Sequence, residues 1–148
     1  MTDTPQRPSD VLLLANLGTP SAPTAPAVSR YLGEFLADPR VVQLPRWFWL
    51  PLLRLLVLPL RSPKVAPKYA EVWMDEGSPL EVHTRRLAGA VAPLLPGVRV
   101  EHVMRYGEPA LARRLRELRG EGARVLVLPL YPQYSTTTTA SMGDVIAR

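Results

Sequence analysis

Three short apolar runs, separated by helical patterns, most strongly constrain how this 148-residue chain can fold. The runs cover residues 11–15, 98–104 and 125–128 and are rich in valine and leucine, as buried strands are. Between them, apolar residues recur at helical spacing over 28–36 and 111–118. Strands that alternate with helices form βαβ units, so the sequence predicts an α/β fold built on a parallel sheet flanked by helices.

Each predicted strand is followed by polar or aromatic side chains. Asn16 follows the first strand, Arg105 and Tyr106 follow the second, and Tyr131 and a hydroxyl tract over 135–139 follow the third. Because ligands of such sheets bind outside the carboxyl ends of the strands, we expect these side chains to lie at one ligand-binding edge. A flat, partly apolar ligand that carries anionic groups suits this set of side chains.

The third run, 125–128, is predicted to be a strand that is buried on both faces. It ends at Pro129, which cannot donate a hydrogen bond to a central ladder. The hydroxyls of 135–139 are candidate N-caps for a helix that runs into 142–147. A threonine-rich turn followed by an ordinary capped helix explains the same tract equally well.

Nucleotides and nucleic acids are disfavoured as ligands. The first strand leads into NLGTP, which has one glycine where a dinucleotide fingerprint needs three, and no P-loop sequence occurs. The net charge of +5 comes from arginines spread along helices, which is typical of a solvated helix face. We therefore expect no nucleic-acid partner.

The most apolar stretch, 44–60, is interrupted by two arginines and three prolines. A membrane-spanning helix needs about 20 predominantly apolar residues, so a transmembrane interpretation is disfavoured. Trp47, Phe48 and Trp49 fit an interfacial segment or an apolar rim around a pocket. The alternative is a buried helical hairpin, since aromatic stripes commonly belong to a core.

The chain has no cysteine, so it offers neither a disulfide nor a thiolate ligand for a metal or an iron–sulfur cluster. His83, in a predicted helix, and His102, in a predicted strand, lack a second ligand at metal-site spacing. Both are therefore expected to be structural, and no metal ligand is assigned.

Residues 1–10 are expected to form a disordered lead-in without an export signal, which favours a cytoplasmic location.

Five motifs stand in a fixed order along the chain: NLGTP at 16–20, FLADPRVV at 35–42, GSPL at 77–80, MRYG at 104–107 and LYPQYSTTTTAS at 130–141. In this order and context they resemble the motifs of ferrochelatases. The resemblance runs from about Val11 to Arg148. The chain is similar to the N-terminal portion of a bacterial ferrochelatase.

This resemblance implies the insertion of ferrous iron into protoporphyrin IX to form protohaem, a lyase reaction of haem biosynthesis. It also implies two similar Rossmann-like domains, of which 11–148 is the first and the second is absent from this chain. The metal-facing histidine and its acidic partner are expected beyond Arg148. No catalytic residue is therefore assigned, and the 148 residues alone are expected to be inactive. A related chelatase for coproporphyrin or cobalt and a non-catalytic tetrapyrrole-binding module remain open as alternatives.

Substrate contacts follow from the same resemblance. Leu17 is expected to pack against the macrocycle face. Arg61, Tyr69 and Ser78, which lie in or near RSPK at 61–64 and GSPL, are expected to face propionates or the rim. The implied substrate-binding residues are Leu17, Arg61, Tyr69, Ser78, Arg105, Tyr106, Tyr131, Ser135 and Thr137. Protoporphyrin IX and ferrous iron are the expected partners, with iron as a substrate and no permanently bound cofactor.

In ferrochelatases the region that matches 44–64 resembles a lip over the porphyrin cleft. The resemblance implies that this lip can meet a membrane, here through Trp47, Phe48 and Trp49. We expect the contact to be peripheral, on the inner face of the cell membrane.

Overall fold

The computed structural model describes residues 9–148, which form a parallel sheet with helices on both faces. The strands are β1 (Asp10–Gly18), β2 (Val98–Tyr106) and β3 (Arg124–Pro129), in the spatial order β2-β1-β3. The predicted α/β fold with a parallel sheet is confirmed. Most of the predicted lead-in, 1–10, lies outside the described residues, and β1 begins at Asp10.

The helices are α1 (Ala25–Leu36), α2 (Arg46–Leu52), α3 (Leu58–Val72), α4 (Pro79–Val91), α5 (Leu111–Gly120) and α6 (Ser141–Ile146). Two π-helical segments, Leu53–Val57 and Thr136–Ala140, join α2 to α3 and lead into α6. A short 3₁₀ turn, Ala92–Leu94, follows α4. The predicted helical periodicities over 28–36 and 111–118 correspond to α1 and α5.

The central strand β1 is buried on both faces because it pairs in parallel with β2 on one side and β3 on the other. Val11 and Leu13 belong to the core that includes α5 and α6. Leu12 and Leu14 point to the opposite face, where they pack with Ala88 of α4. The alternation of a strand therefore divides the core into two layers.

The predicted burial of β3 on both faces is wrong. Val125 and Val127 pack against the α5–α6 core, but Leu126 is 66% exposed and Leu128 is 47% exposed. The reason is the position of β3 at the edge of the sheet, because α4 packs over β1 and β2. An apolar run thus reflects the chemistry of the strand, whereas its burial depends on which elements cover it.

The apolar stretch 44–60 is not a buried hairpin, so that alternative is wrong. It begins a nearly continuous helix over 46–72, the lip helix, in which α2, the π-helical segment and α3 follow one another. Its inner side packs against α1 through Leu58 and Ala66, while Trp47 is 80% exposed. In the part of the chain that the structure describes, no helix is long and apolar enough to cross a membrane.

The lip helix contains four prolines, at 51, 59, 63 and 67, and all four are exposed. A proline inside a helix removes the hydrogen bond to the carbonyl four residues earlier. The spacing of four residues between Pro63 and Pro67 places them on one side of the helix. The outward side of the lip helix therefore carries backbone carbonyls that lack their helical donor.

A glycine allows the ends of β1 and β2 to approach each other. Gly18 has a φ of +113°, and a Cβ built at this position would lie 1.8 Å from the Tyr106 carbonyl oxygen. Only glycine adopts this conformation without strain and leaves room for the neighbouring strand. The single glycine of NLGTP therefore has a packing role.

We expect Gly18→Ala to lower the free energy of unfolding by about 3 kcal/mol or more, because both the positive φ and the clash oppose a side chain. Urea denaturation of the full-length gene product would measure the change. Gly89→Ala in α4 is the matched control, since a Cβ there meets no atom within 4 Å. The control is expected to gain about 0.5 to 1 kcal/mol from the better helix propensity of alanine. Equal stability of the two variants would contradict the packing role of Gly18.

Candidate functional site

The carboxyl ends of the three strands meet at one edge of the sheet, as predicted from their parallel arrangement. The residues at this edge are far apart in the sequence. Leu17 is the penultimate residue of β1, Arg105 and Tyr106 end β2, and Tyr131 follows β3. The edge is bordered by α1, the lip helix and the start of α6.

A buried carboxylate, Asp38, lies at the centre of the hydrogen bonds at this edge. Its Oδ2 accepts from Arg105 Nη2 at 2.6 Å, from the Tyr106 hydroxyl at 2.7 Å and from the Ser141 hydroxyl at 2.6 Å. Its Oδ1 accepts from the backbone N–H of Arg40 at 2.7 Å. Every one of these donors is supplied by a different residue, so the carboxylate joins the loop after α1, β2 and α6.

Burial and this hydrogen-bond network shift the pKa values of Asp38 and Tyr106. Burial acts to raise the pKa of Asp38, but the hydrogen bonds from Ser141 and Tyr106 and the charge of Arg105 outweigh it, so the pKa lies below its ordinary value. Burial raises the pKa of Tyr106 to about 12. At neutral pH the site therefore holds an ionised carboxylate and a protonated phenol.

Aromatic and apolar side chains form the wall beside this network. Tyr106 packs in one cluster with Tyr31 of α1, and Leu17 and Tyr69 are partly buried against it. Phe35 meets the Tyr106 ring edge to face, with ring centroids 5.2 Å apart. This wall offers the extended apolar surface that a flat ligand requires.

Tyr131 lies next to the core between β3 and α6 and is partly buried. Burial raises the pKa of Tyr131 well above its ordinary value. Its hydroxyl is buried and has no hydrogen-bond partner among residues 9–148. Burying a hydroxyl without a hydrogen-bond partner costs folding free energy. The Tyr131 hydroxyl is therefore a polar group of this edge that could still accept or donate a hydrogen bond.

The hydroxyl tract after β3 caps the following helical turn. The Ser135 hydroxyl accepts from the backbone N–H of Thr137 at 3.2 Å and lies 2.9 Å from the Thr137 hydroxyl. The expected N-cap role of the tract is thus present at Ser135. Both side chains are partly buried beside the edge, and their contacts with a substrate stay predictions.

The three implied contacts from the segments after the lip lie in different environments. Arg61 is exposed on α3 and forms no ion pair with any residue of the described range. Tyr69 belongs to the aromatic wall. Ser78 is buried at the start of α4 and accepts a hydrogen bond from the Thr19 hydroxyl at 2.7 Å. In this structure the Ser78 hydroxyl therefore fixes the turn after β1, and its role as a porphyrin contact stays a prediction.

The two histidines lie apart from this edge network. His102 Nε2 is 3.2 Å from Glu81 Oε1, between β2 and α4. His83 is exposed on α4 beside a shallow apolar cavity that also includes Asn16. Within residues 9–148, no three His, Cys, Asp or Glu side chains are placed to hold a metal ion.

Sequence reasoning missed Asp38 and Ser141 as members of the site. Both stand inside motifs that carry the family resemblance, FLADPRVV and LYPQYSTTTTAS. Their side-chain partners are 35 to 103 residues away in the chain, and no local periodicity reports such distances. Their presence in those motifs was the available signal.

Comparison with known proteins gives a consistent result. The family model described as Ferrochelatase matches residues 9–148. A ferrochelatase of Xanthomonas axonopodis pv. citri (strain 306) is 61% identical over 140 residues, which cover 94% of this chain and 44% of that protein. A ferrochelatase of Stenotrophomonas maltophilia (strain R551-3) is 63% identical over 93% of this chain and 43% of its own length. The chain therefore spans less than half the length of these relatives.

We expect Asp38→Asn to make the free energy of unfolding less dependent on pH in the acid range. A carboxyl with a lowered pKa stabilises the fold above its unfolded pKa of about 3.9, and this contribution disappears as the pH falls through the folded value. At pH 7 the substitution should cost about 3 kcal/mol, because Arg105 keeps a charge without its partner. Chemical denaturation from pH 7 to pH 3 would measure both effects.

Asp144→Asn is the control for this measurement. Asp144 pairs with Arg40 at 2.7 Å, and both side chains are exposed. We expect this change to cost less than about 1 kcal/mol, because solvent screens the pair. Equal costs for the two variants would contradict a central role for the Asp38 carboxylate.

Proposed function

Because the chain belongs to the ferrochelatase family, we propose that the protein inserts ferrous iron into protoporphyrin IX to form protohaem. Such a reaction is a lyase reaction of haem biosynthesis. The observation that carries the proposal is the strand-end edge, where Leu17 and Tyr69 pack in one apolar cluster with Tyr106, Tyr131 packs against the α5–α6 core, and the Arg105 guanidinium lies over the Tyr106 ring. This chain supplies that porphyrin-binding wall.

The wall matches the chemistry of the proposed substrate. A porphyrin is a large planar ring with two carboxylate side chains, so it needs an extended apolar surface and cations at its rim. Leu17 and the aromatic cluster offer the surface. Arg61, exposed and free of ion pairs among the described residues, offers a cation for a propionate.

The chemistry at the ring requires loss of two pyrrole protons as the metal enters. Ferrous iron is a substrate in this reaction, and the proposal needs no permanently bound cofactor. Contacts along the wall would bind the ring in a distorted shape, in which the pyrrole lone pairs are accessible to the metal. We assign no catalytic base to residues 9–148, and we expect the metal-facing histidine and its acidic partner outside them.

An anaerobic insertion assay with the full-length gene product tests this function. Protoporphyrin IX and coproporphyrin, each with ferrous iron and with cobalt, form the substrate panel. The proposal expects the highest kcat/KM for protoporphyrin with ferrous iron. Preference for coproporphyrin or cobalt would indicate a related chelatase, and binding without insertion would indicate a tetrapyrrole-binding module.

We also propose that the lip helix binds the surface of a membrane. Trp47 and Leu55 are 80% and 79% exposed, and Phe48, Leu56 and Leu60 are also largely exposed. Residues 39–70 contain six Arg or Lys and no Asp or Glu. Apolar side chains beside an excess of positive charge favour an anionic lipid interface, and a cytoplasmic protein would meet it at the inner face of the cell membrane.

We expect Arg61→Ala to weaken protoporphyrin binding about fivefold to tenfold, because one charge-assisted contact with a propionate is lost. Quenching of porphyrin fluorescence by the full-length gene product would measure the affinity. Arg116→Ala is the matched control, since Arg116 is exposed on α5 and also forms no ion pair within the described range. Equal effects of the two variants would contradict a rim role for Arg61.

We expect replacement of Trp47, Phe48 and Leu55 by serine to reduce binding to anionic liposomes at least tenfold, because large apolar side chains leave the interface. Thermal unfolding should change little, since the three side chains are exposed. Leu94→Ser is the control, because Leu94 is 74% exposed near the amino ends of the strands. Vesicle co-sedimentation would measure binding, and unchanged binding of the triple variant would contradict the proposal.

Trp49 is left out of that triple variant because its environment differs from that of its neighbours. It is partly buried, and its Nε1 donates to the Leu36 carbonyl at 2.7 Å. Trp49 therefore anchors the lip helix to α1. Of the three aromatic residues expected at the membrane, only Trp47 and Phe48 are strongly exposed.

A further inference from the structure

We propose that Asp38 is a positioning residue, which holds the Arg105 guanidinium in place at the strand-end edge and connects the base of the lip helix to α6. The inference rests on the proposed function, because it assigns a role in porphyrin binding. Asp38 itself is expected to touch neither the substrate nor the metal. Its effect is transmitted through Arg105.

The environment of Asp38 is that of a fully bonded charge. The side chain is buried, and its two oxygens accept four hydrogen bonds of 2.6 to 2.7 Å. A carboxylate in this setting has no remaining need for a ligand of its own. It is therefore suited to orient the groups around it rather than to react.

Arg105 is held from three sides. Its Nη2 donates to Asp38, its Nε donates to the Ser141 hydroxyl at 2.7 Å, and its guanidinium carbon lies 4.4 Å from the centre of the Tyr106 ring. Its Nη1 donates to no residue within 9–148. One edge of an otherwise immobilised guanidinium thus stays available for an anionic group.

The Arg105 side chain also borders a cavity that is open to solvent. Arg105 lines a cavity of about 440 Å³ together with Asp38, Tyr106 and Arg46 at the start of the lip helix. A pre-oriented guanidinium loses less freedom on binding a carboxylate than a mobile one does. Holding Arg105 in place would therefore strengthen porphyrin binding without any contact between Asp38 and the ring.

Asp38 also connects two segments that border the edge. It stands in the loop between α1 and the lip helix, and its neighbour Arg40 pairs with Asp144 of α6. Ser141, which donates to Asp38, is the first residue of α6 and follows the hydroxyl tract. The carboxylate thereby fixes the start of the lip relative to the tract across the edge.

A double-mutant cycle on the full-length gene product tests the inference. The variants are Asp38→Asn, Arg105→Ala and the combination, with KM for protoporphyrin and kcat measured for each. We expect Asp38→Asn to raise KM about tenfold and to change kcat less than about threefold. If Asp38 acts through Arg105, the double variant should have the KM of Arg105→Ala alone.

Two further variants make the result unambiguous. Arg99→Ala breaks the exposed pair with Glu121 near the amino ends of the strands and should leave KM unchanged, which separates a specific effect from the loss of any exposed ion pair. If Asp38→Asn does not fold, Ser141→Ala replaces it in the cycle, since Ser141 also bonds Arg105.

The outcomes separate the two proposals. Additive effects of Asp38→Asn and Arg105→Ala on KM, with normal insertion by the wild-type protein, would overturn the positioning role alone. A wild-type protein that neither binds nor metallates porphyrin would overturn the proposed function, and with it the positioning role. Non-additive effects on KM support both.

Discussion

The parallel pairing of β1 with both of its neighbours is the constraint on which the rest of the structure depends. Pairing in one direction places the three carboxyl ends at a single edge, and that edge gathers side chains from positions near 17, 105 and 131. Parallel strands need crossover connections, and the helices that make them cover the sheet on both faces. The same pairing therefore forms the core and assembles the site, so the two cannot vary independently.

Much of this arrangement could be predicted from the sequence, because it depends on local patterns. The apolar runs located all three strands, and the 3.6-residue periodicity located α1 and α5. Parallel topology then placed Arg105, Tyr106 and Tyr131 at the same end of the sheet. These predictions succeeded because nearby residues set the side-chain period of each helix and strand. General rules of chain connection then set the direction of the strands and the handedness of the crossovers.

The features of the fold and of the site that were not predicted depend on contacts between distant residues, which no local sequence pattern reports. The exposure of Leu126 reflects the position of β3 at the sheet edge, and the single lip helix persists through prolines that normally end one. Asp38 looked like an ordinary acidic residue after a helix, yet its partners Arg105 and Ser141 are far along the chain. Buried polar networks of this kind become visible only once the elements are assembled.

The prolines of the lip helix set a limit on how it would meet a bilayer. Its outward carbonyls lack helical donors near 59 and 63, and hydrocarbon provides no substitute for water as a donor. The helix would thus rest at headgroup depth with its backbone hydrated, while Trp47 and Leu55 reach further in. Attachment of that kind is shallow and reversible, so a protein bearing this helix would exchange between the lipid surface and the surrounding solution.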